Sequence, residues 1–238
     1  MSWESHALWL WGAPGRAVAR HREAMDLATT RGPHSLALAN AYGAVLFQCL
    51  GDEDEMAARA RAAIGLCERY GFAYYGEWGQ ILLAWHDRNQ PGSNCVTRIE
   101  AALESLRSIG AELRRPYYLA ILAQTHLASG DPDRANAVLG AAVATANANE
   151  DVYWLPEIHR LIAELGPESS REAMLRLALD LARRQGSRSL ALRAAISLGR
   201  HTASANVELQ HALDSFHEGE RSAEAVEALA MLDLRTTV

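Results

Sequence analysis

The chain has 238 residues, of which 49% are hydrophobic and 22% charged, the composition of a globular protein able to bury a sizeable core. Its formal net charge of −6 argues against a nucleic-acid partner, because phosphate binding needs a concentrated basic surface. All 23 basic residues are arginine. Sites that require a lysine are therefore excluded, namely P-loop nucleotide sites, kinase-type sites and pyridoxal Schiff bases.

The N-terminal segment "MSWESHALWLWGAPG" has a short aromatic run but no basic region and no apolar stretch long enough for a signal peptide. No later apolar run has the length of a membrane span. Cys49, Cys67 and Cys95 are scattered and odd in number, which favours unpaired thiols in a reducing compartment. We therefore expect a cytoplasmic protein with no membrane partner, no cofactor and no metal.

Along the chain, glycines follow helical stretches at a nearly constant interval. Gly32, Gly71 and Gly110 are each 39 residues apart, another 39 residues lead to Asn149, and 37 more lead to Gly186. Asparagine is the common substitute for glycine where a helix ends in a left-handed residue. The pattern therefore predicts left-handed helix ends at these positions, Asn149 included.

A second series of breaks falls midway between the first, with spacings of 39, 39, 40 and 36 residues: Gly12, Gly51, Gln90, Gly130 and Gly166. The turn "ASGDPDRA" at 128–135 is typical of the series. Gly130 ends one helix, Asp131 is suited to the N-cap of the next, and Pro132 is suited to its first position. The carboxylates of Asp131 and Asp133 are thus interpreted as parts of a turn and a helix start, with no catalytic role.

Between the breaks, apolar residues recur with helical spacing and no segment alternates with period two. The sequence predicts an all-α fold, a right-handed α-α superhelix (a TPR-like solenoid) of about six helix pairs with a period of about 39 residues. We expect a single domain, 1–238. Its predicted units are 1–32, 33–71, 72–110, 111–149, 150–186 and 187–219, followed by a terminal helix at 220–234.

Four segments carry a family resemblance: "GEWGQILLAWHDRN" (76–89), "GAELRRPYYLAILAQTHLASGDPDRA" (110–135), "EIHRLIAEL" (157–165) and "ALDLARRQGSRSLALRAAISLGR" (178–200). They resemble the C-terminal tetratricopeptide-like (MalT-like) helical region of bacterial multidomain predicted-ATPase regulators. Those regulators carry an adenylate/guanylate cyclase domain or a LuxR- or AfsR-type DNA-binding domain elsewhere. The resemblance implies a sensor or protein-interaction array, and it lends no catalytic residue to this chain.

Other clusters of polar residues are better explained by structure. A metal site is suggested by four residues at three-residue steps, Glu208, His211, Asp214 and His217, but such steps spread over half of a helix circumference. His86 and His126 share one repeat position and are interpreted as packed histidines, with a pH-switched hinge as the alternative. An arginine run could bind RNA or phosphorylated ligands, but its members lie on two different helices and no aromatics interleave with them. The run comprises Arg171, Arg176, Arg183, Arg184, Arg188, Arg193 and Arg200.

The predicted functional surface is the concave groove, which the first helix of each pair lines in tetratricopeptide arrays. Mixed polar and tyrosine side chains there suit a peptide or a partner helix. The repeat phase assigns ten residues to this groove: Gln48, Glu77, Gln80, Asp87, Arg88, Tyr117, Gln124, Tyr153, Arg160 and Glu164.

The preferred function is a non-catalytic protein-interaction or regulatory module of bacterial signalling that binds a protein or peptide. One alternative is a small-molecule effector sensor with an aromatic cavity among Trp78, Tyr117, Tyr153 and Trp154. A less favoured one is an enzyme that uses Asp or Glu with His in the groove. The groove could also be filled by the terminal helix. Since a solenoid needs capped ends, we expect descent from a longer regulator or a homodimer formed through the exposed end.

Overall fold

The computed structural model describes residues 1–202, 205–216 and 222–236, with side chains of the last helix described to residue 233. Helices joined by short turns make up the described part, which contains no strand, so the all-α prediction is confirmed. The helices are α1 Ser2–Leu10, α2 Pro14–Arg31, α3 Pro33–Leu50, α4 Glu53–Tyr70, α5 Ala73–His86, α6 Cys95–Ser108, α7 Arg115–Ala128, α8 Pro132–Ala148, α9 Leu155–Leu165, α10 Glu168–Arg184, α11 Arg188–His201, α12 Asn206–Asp214 and α13 Ala223–Thr236.

The turns follow the chemistry expected from the sequence. The Asp131 carboxylate accepts a hydrogen bond from the Arg134 amide at 3.0 Å, and Pro132 is the first residue of α8. Gly71 ends α4 in the left-handed conformation, at φ 75°. One prediction was wrong: Asn149 has φ −99°, and the positive φ of 56° falls on Glu150. The left-handed residue after α8 therefore comes one position later than the glycine spacing indicated.

Contacts divide the chain into two compact units. The first comprises Met1–His6 with Val18–Asp151, and the second comprises Ala7–Ala17 with Val152–Val238. In the first unit each helix from α3 to α7 packs against the next, and α5 also contacts both α3 and α7. In the second unit α10 packs between α9 and α11, while α11 also contacts α9, α12 and α13.

Burial distinguishes the helices of a pair. Every residue of 39–49 in α3 is buried, as are most of 116–126 in α7 and most of 189–199 in α11. By contrast, α4 buries a single stripe, and its backbone at Ala60 lies so close to Gly79 of α5 that a Cβ on that glycine would stand 2.9 Å from the Ala60 carbonyl oxygen. The odd-numbered helices α3, α7 and α11 are thus interior elements. Cys49, Cys67 and Cys95 are free, buried thiols.

Candidate functional site

Aromatic rings from four odd-numbered helices form one chain of contacts in the first unit. The Trp3 ring on α1 lies 5.2 Å from the Tyr42 ring on α3, and Tyr42 lies 5.2 Å from Trp78 on α5. Trp78 lies 6.0 Å from Tyr118 on α7. These tilted arrangements are the ones that aromatic pairs prefer. Tyr42, Trp78 and Tyr118 are buried, whereas Trp3 is 57% exposed.

More rings extend this cluster along the start of α5. Tyr74 and Tyr75 are half-buried and lie 5.2 and 5.6 Å from the Trp78 ring. The exposed His34 ring lies 5.1 Å from Phe72 and 5.6 Å from Tyr75. We call the following residues the aromatic layer: Trp3, Tyr42, Tyr74, Tyr75, Trp78 and Tyr118.

The Arg114 guanidinium lies within this layer. Its central carbon is 5.1 Å from the ring centroids of Trp3 and Tyr42 and 5.4 Å from that of Trp78, and the residue is only 4% exposed. A desolvated cation–π contact contributes up to about 2 kcal/mol. The Arg114 amide donates to the Asp151 carboxylate at 2.9 Å and holds this residue in the left-handed region at φ 64°. The cation therefore fixes the rings around it, Trp3 included.

His6 completes the layer as a neutral side chain. Its Nε2 lies 3.0 Å from the Tyr42 carbonyl, which can only accept, so Nε2 carries the proton. Nδ1 is then the acceptor that faces the Arg114 guanidinium at 3.5 Å. Burial, and next the Arg114 charge, lower the pKa of His6 to about 3. Burial raises the pKa of Tyr42 to about 12, although Arg114 opposes this. At pH 7 His6 is neutral, Tyr42 is protonated, and Arg114 carries the positive charge of the layer.

Four of the predicted groove residues lie on α3, α5 and α7 of the first unit. The Tyr117 hydroxyl donates to Gln48 Oε1 at 3.0 Å, and both side chains are buried. Glu77 accepts a hydrogen bond from the Ser105 hydroxyl at 2.7 Å, and Gln80 is half-buried on the same helix. These contacts join α3 to α7 and α5 to α6.

The predicted groove residues at the end of α5 also make contacts inside the first unit. Gln124 accepts a hydrogen bond from the Trp85 indole at 3.0 Å. Arg88 donates to Glu53 at 2.7 Å, and its guanidinium lies 3.8 Å from the centroid of Trp85. Asp87 accepts from an arginine on α6 at 2.9 Å. The structure thus brings both Arg88 and Gln124 into contact with one indole.

The remaining predicted groove residues belong to the second unit. Arg160 donates to Glu157 at 2.7 Å and to Ser197 at 3.2 Å, and it lies 3.8 Å from Glu164. Burial alone would raise the pKa of Glu157, but the neighbouring arginines hold it at about 2. Tyr153 is half-buried just before α9. This cluster is a partly buried ion network, which fixes side chains in place.

The aromatic residues predicted for an effector cavity are divided between the units. Trp78 and Tyr117 are fully buried in the first unit. Trp154 is buried in the second, with its ring 6.0 Å from Trp9, and Tyr153 is its neighbour.

Histidine and carboxylate side chains also meet. His86 Nδ1 lies 3.0 Å from Asp87 Oδ1, and His201 Nε2 lies 3.2 Å from Glu164 Oε2. A surface cavity of about 540 Å³ is lined mainly by residues 88–97, so neither pair faces it.

The residues considered for a metal site make other contacts. Glu208 accepts from Arg176 at 2.8 Å, and Asp214 accepts from Gln210 at 2.7 Å. His217 lies outside the described residues. Within the described ranges, no three His, Cys, Asp or Glu side chains are grouped as a metal ion would require.

The arginine run is partly neutralised by carboxylates. Arg193 pairs with Glu224 at 3.0 Å and Arg200 pairs with Glu227 at 2.5 Å, so both arginines tie α11 to α13. A continuous basic stripe for RNA is therefore interrupted by acidic partners.

Sequence reasoning missed the aromatic layer, although a signal was present. Trp3, Tyr42, Trp78 and Tyr118 follow one another at 39, 36 and 40 residues, close to the glycine period. Residues that recur at the repeat spacing occupy equivalent places on successive helices. Arg114 gave no such signal, because arginine is nearly always exposed.

No protein-family model matches this chain, and a comparison with curated proteins finds no significant match. None of the helices in the described part combines the length and the apolar character needed to cross a bilayer.

Proposed function

We propose that this chain is a non-catalytic protein-interaction module that binds a peptide segment of a partner protein at the aromatic layer. The observation that carries the proposal is the exposed Trp3 indole, held in place by Tyr42 and the buried Arg114 cation. In this proposal the helix pairs stack as a right-handed superhelix of the tetratricopeptide type. The module would serve bacterial signalling, as in the regulators that its sequence resembles.

The physical support lies in how interfaces gain energy. Tryptophan and tyrosine dominate binding energy because they offer large apolar area with few rotatable bonds and one polar atom. Trp3 is already ordered by its contacts, so little further side-chain entropy is lost when a partner covers it. Tyr74 and Tyr75 flank the same cluster half-buried. Burial raises the pKa of both phenols, so both hydroxyls stay protonated and able to donate to a peptide carbonyl.

The chemistry of the face indicates the kind of peptide. An apolar or aromatic side chain would cover the Trp3 indole, and main-chain carbonyls would accept from Tyr74 or Tyr75. Acidic residues outnumber arginines in the first unit. This charge favours a peptide that carries basic residues on either side of its apolar residue. The favoured partner segment is therefore an extended peptide with an apolar centre and basic flanks.

The experiment is a selection from a random-peptide display library on the full chain, followed by calorimetric titration of the enriched peptide. Trp3→Ala should weaken its binding by about 30-fold or more, the loss that a central tryptophan typically causes. The matched control is Trp11→Ala, which removes an exposed tryptophan from the second unit. This variant should change peptide affinity less than about twofold, because Trp11 is not part of the aromatic layer and residues outside the centre of an interface contribute little. Circular dichroism and urea titration of each variant check that it remains folded.

Two results would contradict the proposal. One is a library selection that enriches no peptide. The other is a peptide whose affinity survives Trp3→Ala and falls in the Trp11→Ala control.

A further inference from the structure

The second unit contains a cavity of about 320 Å³ at the N-terminal end of α11. Its walls come from the end of α10, the start of α11 and the later part of α12. Ala182, Ala191 and Ala212 supply apolar wall on these three helices. The cavity is thus an apolar recess that meets a helix N-terminus, where unbonded amides favour negative charge.

Ser187 stands at this helix end and lines the cavity. A serine at the N-cap usually accepts a hydrogen bond from an amide of the first turn. Ser187 makes no such bond: its Oγ has no hydrogen-bond partner among the described residues, although the residue is only 5% exposed. An unbonded buried hydroxyl is destabilising, so its position calls for a group that would bond to it.

The charged residues of the lining have one sign. These charged residues are Arg183 and Arg188, which line the cavity beside the His211 ring, and the lining includes no carboxylate among the residues that the structure describes. Arg188 is oriented by Trp11, with its guanidinium carbon 4.9 Å from the indole centroid. Arg183 lies 3.5 Å from Nδ1 of His211. In a chain of net charge −6, two arginines in one lining that holds no described carboxylate favour an anion over a cation.

We infer that this cavity binds a small organic anion. The anionic head of this ligand would lie at the α11 N-terminus, between Arg183 and Arg188, and would accept a hydrogen bond from the Ser187 hydroxyl. A short apolar body would lie against the alanine walls. The head supplies the acceptor that Ser187 lacks, and the body removes apolar wall from water. This site is separate from the aromatic layer, and its test does not depend on peptide binding.

The test uses calorimetric titration of the full chain with benzoate, with benzamide as the uncharged isostere and inorganic phosphate as the anion without an apolar body. Benzoate should bind saturably with a dissociation constant below about 1 mM, and both other probes should bind at least about 10-fold more weakly. Ser187→Ala and Arg183→Gln should each weaken benzoate binding by about 10-fold or more.

The control variant is Arg184→Gln, which removes the neighbouring arginine that does not line the cavity. It should leave benzoate affinity within about twofold, since a charge that does not contact the ligand acts on it only through solvent. A second readout is the melting temperature without ligand. Because the Ser187 hydroxyl is unbonded, Ser187→Ala should leave the melting temperature unchanged or raise it. A lowered melting temperature would show an ordinary cap and overturn the inference.

Other outcomes also overturn it. Equal affinity for benzamide would show that the site does not recognise the charge of the ligand. Equal affinity for phosphate would show that the site does not recognise an apolar body. Undiminished benzoate binding in Ser187→Ala, or no benzoate binding in the unaltered chain, would refute the site itself.

Discussion

Substituting Gly43 by alanine should destabilise the protein, against the usual effect of that change in a helix. Gly43 lies in the interior of α3, and a Cβ atom placed there would stand 2.7 Å from Nε2 of His21 and closer still to its Cε1. His21 is 2% exposed and packs edge-on against Phe47, so an added methyl group would displace its ring from that contact.

The magnitude follows from two opposing terms. Glycine to alanine inside a helix ordinarily gains about 1 kcal/mol, whereas overpacking a filled core costs roughly 1–3 kcal/mol. We expect Gly43→Ala to lower the free energy of unfolding by about 1 kcal/mol, which is the middle of that range, about 2 kcal/mol, less the helical gain. In a His21→Ala background the clash is absent, and the same change should add about 1 kcal/mol. The coupling between the two sites is then about 2 kcal/mol.

Urea unfolding followed by circular dichroism measures all four proteins of this cycle. Gly65→Ala is the matched control, because Gly65 is an exposed helical glycine with no atom within 4 Å of the position that a Cβ would occupy, and it should gain about 1 kcal/mol. If Gly43→Ala stabilises the protein as much as the control does, or if the cycle is additive, the packing argument is refuted.

Three further predictions concern charge and capping. Burial lowers the pKa of His6 to about 3 and of His21 to about 4, so the unfolded chain binds more protons than the folded one below the usual histidine pKa of 6.5. The free energy of unfolding should then fall as the pH drops from about 6.5 to about 5, by up to about 1.4 kcal/mol per pH unit for each histidine, and His21→Ala should reduce that slope in urea titrations. Glu157→Gln should cost roughly 3 kcal/mol by the same measurement, because it removes the buried carboxylate that accepts two hydrogen bonds from the half-buried Arg160. Asp131→Ala should cost about 1 kcal/mol, since it removes the bond to the first turn of α8.

The turns of this fold were largely predictable because their chemistry is local. Asp131 and Pro132 act within one turn of α8, and Gly71 needs only its own backbone angles to end α4. The exception shows the limit of such reasoning. At Asn149 the spacing was right to within one residue, but the left-handed position fell on Glu150, which no propensity favours.

The candidate site was less predictable because it depends on contacts between distant residues. The repeat phase assigned Tyr117 and Gln48 to a groove surface, and the structure places them in a buried hydrogen bond 69 residues apart in sequence. Arg114 is buried because three rings from α1, α3 and α5 surround it. A set of surrounding side chains of this kind exists only after the helices have packed.

The most direct test of the central claim is fluorine NMR of the full chain labelled with 5-fluorotryptophan, titrated with the peptide that the library selection enriches. The six tryptophans give one resonance each, which single substitutions assign. Binding at the aromatic layer predicts that the Trp3 resonance shifts progressively to saturation while that of Trp11 stays in place. A Trp3 resonance that does not move while those of Trp9, Trp11 or Trp154 shift would contradict the account.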